Sequence, residues 1–276
     1  MKPARFEYVR PARLDEAVRL VGGAPDETAV IAGGQSLLPI LALRLTRVGC
    51  LVDVSRLDEL ARCDASARHV TIGAATTHAA LEDGLAPDPG QGVMRRIAAR
   101  IAYRAVRNQG TIGGSVALAD PAADWPAGLI ALRATAIIAG PHGARRESVA
   151  GLVRGTYMTS LTPGEIIVGF EVPVLADGAR VGISKVVKKT GAFAMSLAIV
   201  VLGDGGARVA LAGAGGRVLS LAGVGEVLTT WPDASGERLE AALAEDLVGE
   251  IDVADAYAAR LHRATVLQAV AEAGAR

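Results

Sequence analysis

The chain has 276 residues with 29 basic and 29 acidic side chains, so its formal net charge is zero and its pI is near 6.9. This balance argues against a general nucleic-acid or anionic-membrane binder, because such proteins carry a basic excess. Hydrophobic residues make up 51% and aromatic residues only 3%, which predicts a large aliphatic core. The length allows two domains, or one large domain with subdomains.

The two cysteines, Cys50 and Cys63, match no zinc or iron–sulfur spacing, and two thiols are too few for a cluster that needs four. No disulfide framework is indicated, which fits a reducing compartment. The N-terminus lacks the apolar core of a signal peptide. The longest apolar run, residues 192–203, is shorter than the about 20 residues that span a bilayer.

The first 55 or so residues predict a small βα unit. Pro11 opens an amphipathic helix that Gly22-Gly23 close, and short buried strands are predicted at residues 28–31 and 51–54. A glycine turn follows the first of these strands and leads into a second helix.

That turn reads Ala-Gly-Gly-Gln-Ser-Leu over residues 32–37. Two adjacent glycines lack Cβ atoms, so the backbone can take positive φ and approach a ligand closely. Successive N–H groups in such a turn can form an anion nest, and Ser36 is placed to cap the following helix. The turn suits a diphosphate, although an ordinary tight turn uses the same residue types.

The next stretch predicts a strand at residues 69–72 and a short helix capped by Thr76 or Thr77, with His78 on its surface. A continuous helix is predicted over residues 93–106. Four arginines follow one face of it, and they indicate either a solvated face or a surface for a partner or a phosphate. These residues are Arg96, Arg100, Arg104 and Arg107.

A second glycine motif follows directly, with the sequence Asn-Gln-Gly-Thr-Ile-Gly-Gly-Ser over residues 108–115. It repeats the chemistry of the first motif: small residues, a glycine pair and then a serine. Two nests can close on one diphosphate from two sides, and an acid such as Asp124 a little further on can accept from ribose hydroxyls. Neither motif matches the GxGxxG dinucleotide fingerprint.

Beyond this motif, a helix is predicted at residues 126–134 and strands at 135–139 and 165–172. Asp177-Gly178 mark the main domain boundary. Tight turns, among them Asp204-Gly205-Gly206, then connect three strands and predict an antiparallel meander. Helices follow, so this part reads as an α+β domain. The predicted strands are 181–189, 195–202 and 207–212, and the predicted helices are 235–247 and 253–271.

Three segments in this order resemble the FAD-binding medium subunits of molybdenum hydroxylases, the family of carbon monoxide dehydrogenase and xanthine dehydrogenase. They are AGGQSLLP at residues 32–39, IGAATTHAAL at 72–81, and RNQGTIGGS at 107–115, which DPAADWPAGLIAL follows. The resemblance runs along essentially the whole chain. Together the two glycine motifs at this separation are highly specific, whereas either alone is weak.

The resemblance implies an α+β fold with two domains. Residues 1–176 would form a PCMH-type, vanillyl-alcohol-oxidase-like FAD-binding domain of two α/β subdomains, about 1–56 and 57–176. Residues 177–276 would form a C-terminal domain like that of carbon monoxide dehydrogenase flavoproteins, with an antiparallel three-stranded sheet and helices.

It also implies FAD as the cofactor, with the diphosphate between the two glycine motifs. The positions that match the family's cofactor contacts are Ala32, Gly33, Gly34, Gln35, Ser36, Leu37, Ile101, Thr111, Ile112, Gly113, Gly114, Ser115, Ala117, Asp124, Ile167, Lys185 and Phe193. Asp124 would contact the nucleotide part, and Ile101 and Ile167 the flavin. Lys185 is either a solvated strand lysine or a cation near N1–C2=O of the flavin, where it would stabilise the anionic reduced ring.

Three positions depart from the family pattern. Ala192 replaces the acid of a basic-x-Gly-Asp-aromatic run, Leu118 stands where a polar residue is common, and Gln109 replaces a frequent arginine. Phe193, at the end of that run, either covers a flavin face or is a core aromatic.

The sequence contains no Ser/His/Asp order, no paired carboxylates and no HExxH motif, which fits an electron-transfer subunit without catalytic or metal-binding residues of its own. The resemblance implies a large molybdopterin subunit that oxidises the substrate and a small subunit with two 2Fe–2S clusters, in a dimer of heterotrimers. Electrons would pass through FAD to an external acceptor: NAD, a quinone or dioxygen. The complex would be cytoplasmic, or peripheral at the inner membrane face.

Two other functions are compatible with the motifs. One is a self-contained flavin-dependent oxidase or reductase, and the other is a non-enzymatic flavin-binding assembly module. No sequence pattern of this chain identifies the substrate of the complex or its electron acceptor.

Overall fold

The computed structural model describes residues 2–203, 205–230, 236–251 and 255–274. The predicted turn residue Asp204 and the predicted helix starts at residues 235 and 253 lie outside these ranges. No helix in the described part is long and apolar enough to cross a bilayer.

The strands of the described chain form four sheets. Their bounds are β1 Glu7–Val9, β2 Thr28–Ile31, β3 Cys50–Asp53, β4 Asp64–Ala65, β5 His69–Gly73, β6 Thr135–Gly140, β7 Gly143–Ser148, β8 Val153–Gly155, β9 Met158–Thr159, β10 Ile166–Pro173, β11 Arg180–Val187, β12 Ala194–Leu202, β13 Arg208–Ala212 and β14 Leu219–Ser220.

The helices are mostly short and connect or cover these strands. Their bounds are α1 Leu14–Gly23, α2 Leu37–Ala42, α3 Asp58–Ala61, α4 His78–Glu82, α5 Val93–Ala98, α6 Arg104–Arg107, α7 Ile112–Leu118, α8 Asp124–Ala131, α9 Val149–Leu152, α10 Ala222–Thr230, α11 Glu237–Asp246 and α12 Ala256–Gly274.

The first sheet is parallel with strand order β1-β3-β2. Parallel strands need crossover connections, and here α1 lies between β1 and β2 and α2 between β2 and β3. The second has order β4-β5-β10-β6-β7 and the third β11-β12-β13-β14, and both are antiparallel. A small hairpin, β8-β9, completes the set.

Helix α8 lies in the middle of the core. Nearly every side chain on it is buried, which is the pattern of a helix enclosed on all sides. Trp125 on α8 and Phe170 on β10 are fully buried in one continuous apolar cluster that also includes Ile199 of β12. The core of the second sheet therefore continues into the third.

Two predicted elements are wrong in detail. The C-terminal sheet has four strands rather than three, because the two-residue strand β14 pairs with β13 and is too short to leave a periodic pattern. The helix predicted over 93–106 is two helices, α5 and α6, separated by a turn in which Ala102 has φ +40°. No glycine or proline marks this break.

His78 is a third departure: it is buried, at 6% exposure, instead of lying on the surface. Its Nδ1 accepts a hydrogen bond from the indole N–H of Trp125 at 2.9 Å. Burial, with a smaller effect from the charge of Arg107, lowers the pKa of His78 to about 4. The neutral ring therefore carries its proton on Nε2.

We expect Gly182→Ala to destabilise the protein. A Cβ at Gly182 of β11 would lie 1.8 Å from the carbonyl oxygen of Ala269 on α12. Relieving that overlap forces the helix off the sheet, and we expect a loss of at least about 2 kcal/mol in the free energy of unfolding, measured with urea. Gly23→Ala, where no atom lies within 4 Å of the added Cβ, is the control. Equal urea midpoints for Gly182→Ala and Gly23→Ala would contradict the close packing of α12 on β11.

We also expect stability to depend on pH through His78. Its folded pKa of about 4 lies below the ordinary value of 6.5, so between these values the unfolded chain binds a proton that the folded chain does not. Its contribution is complete well above pH 6.5 and declines toward pH 4, with about 2 kcal/mol lost by pH 5.

The measurement is urea unfolding of the wild type and of His78→Gln, which keeps an acceptor for Trp125, at several pH values. The variant should lose less stability between pH 6.5 and 5 than the wild type does. The exposed His142→Gln controls for the loss of an imidazole. Buried His262, whose pKa burial also lowers, contributes alike to all three proteins. If the free energy of unfolding fell with pH by the same amount in the wild type and in His78→Gln, the lowered pKa of His78 would be refuted.

Candidate functional site

A cavity of about 580 Å³ lies where the three large sheets approach one another, and its size is that of a small-molecule site. Both glycine motifs line it. So do Ile101 from the turn between α5 and α6, Asp124 from α8 and Lys185 from β11. Every predicted cofactor residue except Ile112 lies in its wall. The fold thus brings together positions that are far apart in the sequence.

The two glycine motifs touch each other. A Cβ at Gly33 would lie 2.1 Å from the carbonyl oxygen of Gln109 and 2.8 Å from Cα of Gly110, so that no side chain fits there. Gly34 has φ +67°, a left-handed conformation that favours glycine. Each glycine of the first pair therefore meets a separate requirement, one of space and one of backbone conformation.

The first loop presents backbone donors that the protein leaves unused. Over residues 33–36, no described acceptor takes a hydrogen bond from any backbone N–H. Ser36 also differs from its prediction, because its side chain makes no capping hydrogen bond to α2. Since buried N–H groups are nearly always paired, a run of free donors beside a cavity is suited to an anion.

The second loop does not form the matching nest that the sequence suggests. The N–H groups of residues 112–115 already have partners within the protein. These bonds run from Ile112 N to Thr76 O, Gly113 N to Ala74 O, Gly114 N to Thr111 Oγ1 and Ser115 N to Thr111 O, at 2.9–3.1 Å. The side chain of Ile112 is fully buried in the core. What this loop offers the cavity is therefore hydroxyl groups, from Thr111 and Ser115, and a close-fitting glycine surface.

Asp124 and Lys185 form a buried ion pair in the cavity wall. The ammonium donates to both carboxylate oxygens, at 2.8 and 2.9 Å, and to the carbonyl of Arg100 at 2.9 Å. Each side chain is only 6% exposed. Burial raises the pKa of the Asp124 carboxyl, and the nearby ammonium opposes that shift.

This geometry limits the ways in which Lys185 could act on a bound flavin. Because an ammonium has three N–H donors and all three are engaged, none remains for a direct hydrogen bond to a flavin. The alternative of a solvated strand lysine is wrong, since the side chain is buried. Any influence on a bound ring would act through charge rather than through a hydrogen bond.

The apolar positions surround the cavity at different depths. Ile167 is 5% exposed and Ile101 is half-buried, and both lie in the wall, as do Ala117 and Leu118. Phe193 is 56% exposed at the cavity edge, so the core-aromatic alternative is wrong. Ala192, the departure from an acid, lies beside it, while the exposed side chain of Gln109 does not contribute to the lining.

The arginine stripe is also reinterpreted, because the helix that would carry it is broken. Arg96 pairs with Glu272, Arg104 with Glu82 and Asp83, and Arg107 with Glu82. Three of the four arginines are therefore held in ion pairs, Arg100 and Arg104 are exposed to solvent, and none of the four lines the cavity. No sequence pattern marks several other lining residues, because they are ordinary neighbours of the motifs; among them are Ala75, Ala102, Ala123, Leu161, Glu165 and Ile166.

The chain matches known proteins over most of its length. A family model described as the FAD binding domain in molybdopterin dehydrogenase matches residues 4–175. The carbon monoxide dehydrogenase medium chain of Hydrogenophaga pseudoflava is 37% identical over 206 residues, 75% of this chain and 72% of that one. The nicotine 6-hydroxylase medium subunit of Paenarthrobacter nicotinovorans is 31% identical over an alignment that covers 100% of both chains.

Solved structures agree with this assignment. Carbon monoxide dehydrogenase from Hydrogenophaga pseudoflava, in a form that lacks the Mo-pyranopterin moiety of the molybdenum cofactor, superposes with a TM-score of 0.91 at 32% identity and 99% coverage of each chain. Quinoline 2-oxidoreductase from Pseudomonas putida 86 gives 0.84 at 30% identity. The predicted α+β fold with a PCMH-type domain is confirmed. The chain belongs to the family of FAD-binding medium subunits of molybdopterin dehydrogenases and is an oxidoreductase subunit of the carbon monoxide dehydrogenase type.

Proposed function

We propose that this chain accepts electrons from 2Fe–2S clusters of a small partner subunit and passes them through FAD to an external acceptor. The observation that carries the proposal is the contact between the two glycine motifs, with the free N–H groups of residues 33–36 beside the cavity they enclose. When bound, FAD supplies an electron carrier between one donor and a different acceptor. The chain's own residues hold that group and set its surroundings.

The residues present fit the parts of FAD. The free N–H groups of the first loop, with the hydroxyls of Ser36 and Ser115, suit the diphosphate. The apolar wall of Ile101 and Ile167 suits the flavin, and Phe193 at the exposed edge can cover a ring face. This division of roles among the predicted residues is part of the proposal.

The partners follow from the same assignment. The relatives are named as medium chains or subunits, and such a chain works beside others. We propose a large molybdopterin subunit that oxidises the substrate and a small 2Fe–2S subunit, in a cytoplasmic dimer of heterotrimers. We also propose the division into domains at 1–176 and 177–276, which the separate hydrogen-bonding of strands β1–β10 and β11–β14 supports.

The direct test is expression of the chain together with the subunits encoded beside it. Co-purification of stoichiometric FAD, iron and molybdenum, and bleaching of the flavin absorbance when substrate reduces the complex, would support the proposal. Flavin that is reduced by substrate in the isolated chain would favour a self-contained enzyme. A chain that takes up no FAD would refute both.

Gly33→Ala should weaken FAD binding by roughly ten- to a hundredfold, since its Cβ would separate the two glycine motifs. The measurement is the amount of FAD released by acid from the purified protein, and titration of the apoprotein with FAD. Gly23→Ala, on the exposed end of α1, is the matched control and should bind normally. A Gly33→Ala protein with full FAD content would show that contact between the motifs is not needed.

The charges of Asp124 and Lys185 should shift the flavin reduction potential in opposite directions. Lys185→Met leaves a negative charge that disfavours the reduced anionic ring, so the potential should fall. Asp124→Asn leaves the ammonium, so it should rise. For a two-electron couple, each 1.4 kcal/mol of interaction corresponds to about 30 mV.

The double variant removes both charges and should return toward the wild-type potential. Redox titrations of all four proteins give the comparison. Shifts of the same sign in both single variants would indicate a general loss of structure and would contradict an electrostatic role for the pair.

A further inference from the structure

The turn between α5 and α6 forms part of the cavity wall through Ile101 and Ala102. Its backbone is unusual, because Ala102 has φ +40°, a region that residues with a side chain rarely adopt. The local sequence has no glycine or proline that would favour this conformation. The turn is therefore held by contacts from elsewhere in the fold.

Those contacts come from two cations. The carbonyl of Arg100 accepts from Lys185 at 2.9 Å. The next two carbonyls, of Ile101 and Ala102, both accept from the same terminal NH2 group of Arg107, Nη1, at 2.8 and 3.1 Å. Three consecutive carbonyls are thus fixed by charged donors, which make stronger hydrogen bonds than neutral ones.

Arg107 is itself held in place. Its Nε and second terminal nitrogen donate to the two oxygens of Glu82 at 2.7 and 2.8 Å, a bidentate arrangement that fixes the plane of the guanidinium. The Arg107 side chain is only 11% exposed, and Glu82 is 20% exposed. Arg107 does not line the cavity, so it can act there only through the turn.

The turn also reaches the loop that carries Phe193. The hydroxyl of Tyr103 donates to the carbonyl of Thr190 at 2.6 Å. The ring of Tyr103 fills the space beside Gly191, where a Cβ would lie 2.5 Å from it. A displaced turn would therefore move both the Ile101 wall and the exposed aromatic side chain at the cavity edge.

We infer that Arg107, oriented by Glu82, is a positioning residue for the flavin end of the cavity: it holds the strained Ile101–Ala102 turn in the conformation that receives the ring. The inference rests on the proposed function, since it requires the cavity to bind FAD. A cavity wall that is already fixed loses less conformational entropy when FAD binds, so the loss of Arg107 should weaken FAD binding.

The chain provides a matched control in Arg104. It contacts the same Glu82, at 2.8 Å, and also Asp83, but it donates to no carbonyl of the turn. Arg107→Gln should raise the dissociation constant for FAD about tenfold, whereas Arg104→Gln should change it less than about threefold. Titration of the full-length apoprotein with FAD, followed by flavin fluorescence, gives the constants.

A second comparison addresses the strained backbone. Glycine adopts φ +40° without the cost that alanine has, so Ala102→Gly should restore a large part of the binding lost in Arg107→Gln. If Arg107→Gln does not fold, the same cycle is run with Arg107→Lys, which keeps the charge but not the bidentate contact with Glu82. Visible circular dichroism of the bound flavin reports the ring's surroundings, which a purely global loss of stability would leave unchanged in the bound fraction.

Wild-type affinity and an unchanged flavin spectrum in Arg107→Gln would overturn the inference. Equal losses of FAD affinity in Arg104→Gln and Arg107→Gln would also overturn it. So would a failure of Ala102→Gly to recover the FAD affinity lost in Arg107→Gln. These outcomes leave the proposed function intact as long as the wild-type chain binds FAD. Failure of the wild type to bind FAD would instead refute the proposed function.

Discussion

The site depends on one contact in which the absence of a side chain is essential. Gly33 lies directly against the backbone of Gln109 and Gly110, so the loop after β2 and the loop between α6 and α7 meet without an intervening side chain. The N–H groups of residues 33–36 have no described acceptor in the protein, and all four residues line the cavity. The rest of the fold holds these two backbone segments in contact.

The loops do not contribute equally. The first keeps its donors free, and the second uses its own donors to start α7 and to join β5 through Ala74. The second loop is consequently joined to the rest of the fold by more backbone hydrogen bonds than the first. A symmetrical pair of nests, as the repeated glycine pattern suggests, would leave more backbone N–H groups without a partner in the protein, which is costly.

Charged groups organise the opposite wall. Asp124 and Lys185 are withdrawn from water, and such a pair adds little to stability because desolvation offsets most of the attraction. Its value is geometric: the same ammonium fixes the carbonyl of Arg100 and so joins β11, α8 and the cavity turn. With the Glu82–Arg107 pair on the other side, the turn is held from two directions.

The sequence by itself determined the family and the order of most elements, and all but one of the cofactor positions it predicted lie in the cavity wall. Paired glycines, an acid at a set distance and short apolar runs are local patterns, and their meaning does not depend on distant contacts. Tertiary structure alone decided that His78 is buried against Trp125, that Lys185 is fully engaged by Asp124 and Arg100, and that the helix at 93–106 breaks at Ala102. Each of these is set by hydrogen bonds between residues far apart in the chain, and neither periodicity nor propensity carries information about such partners.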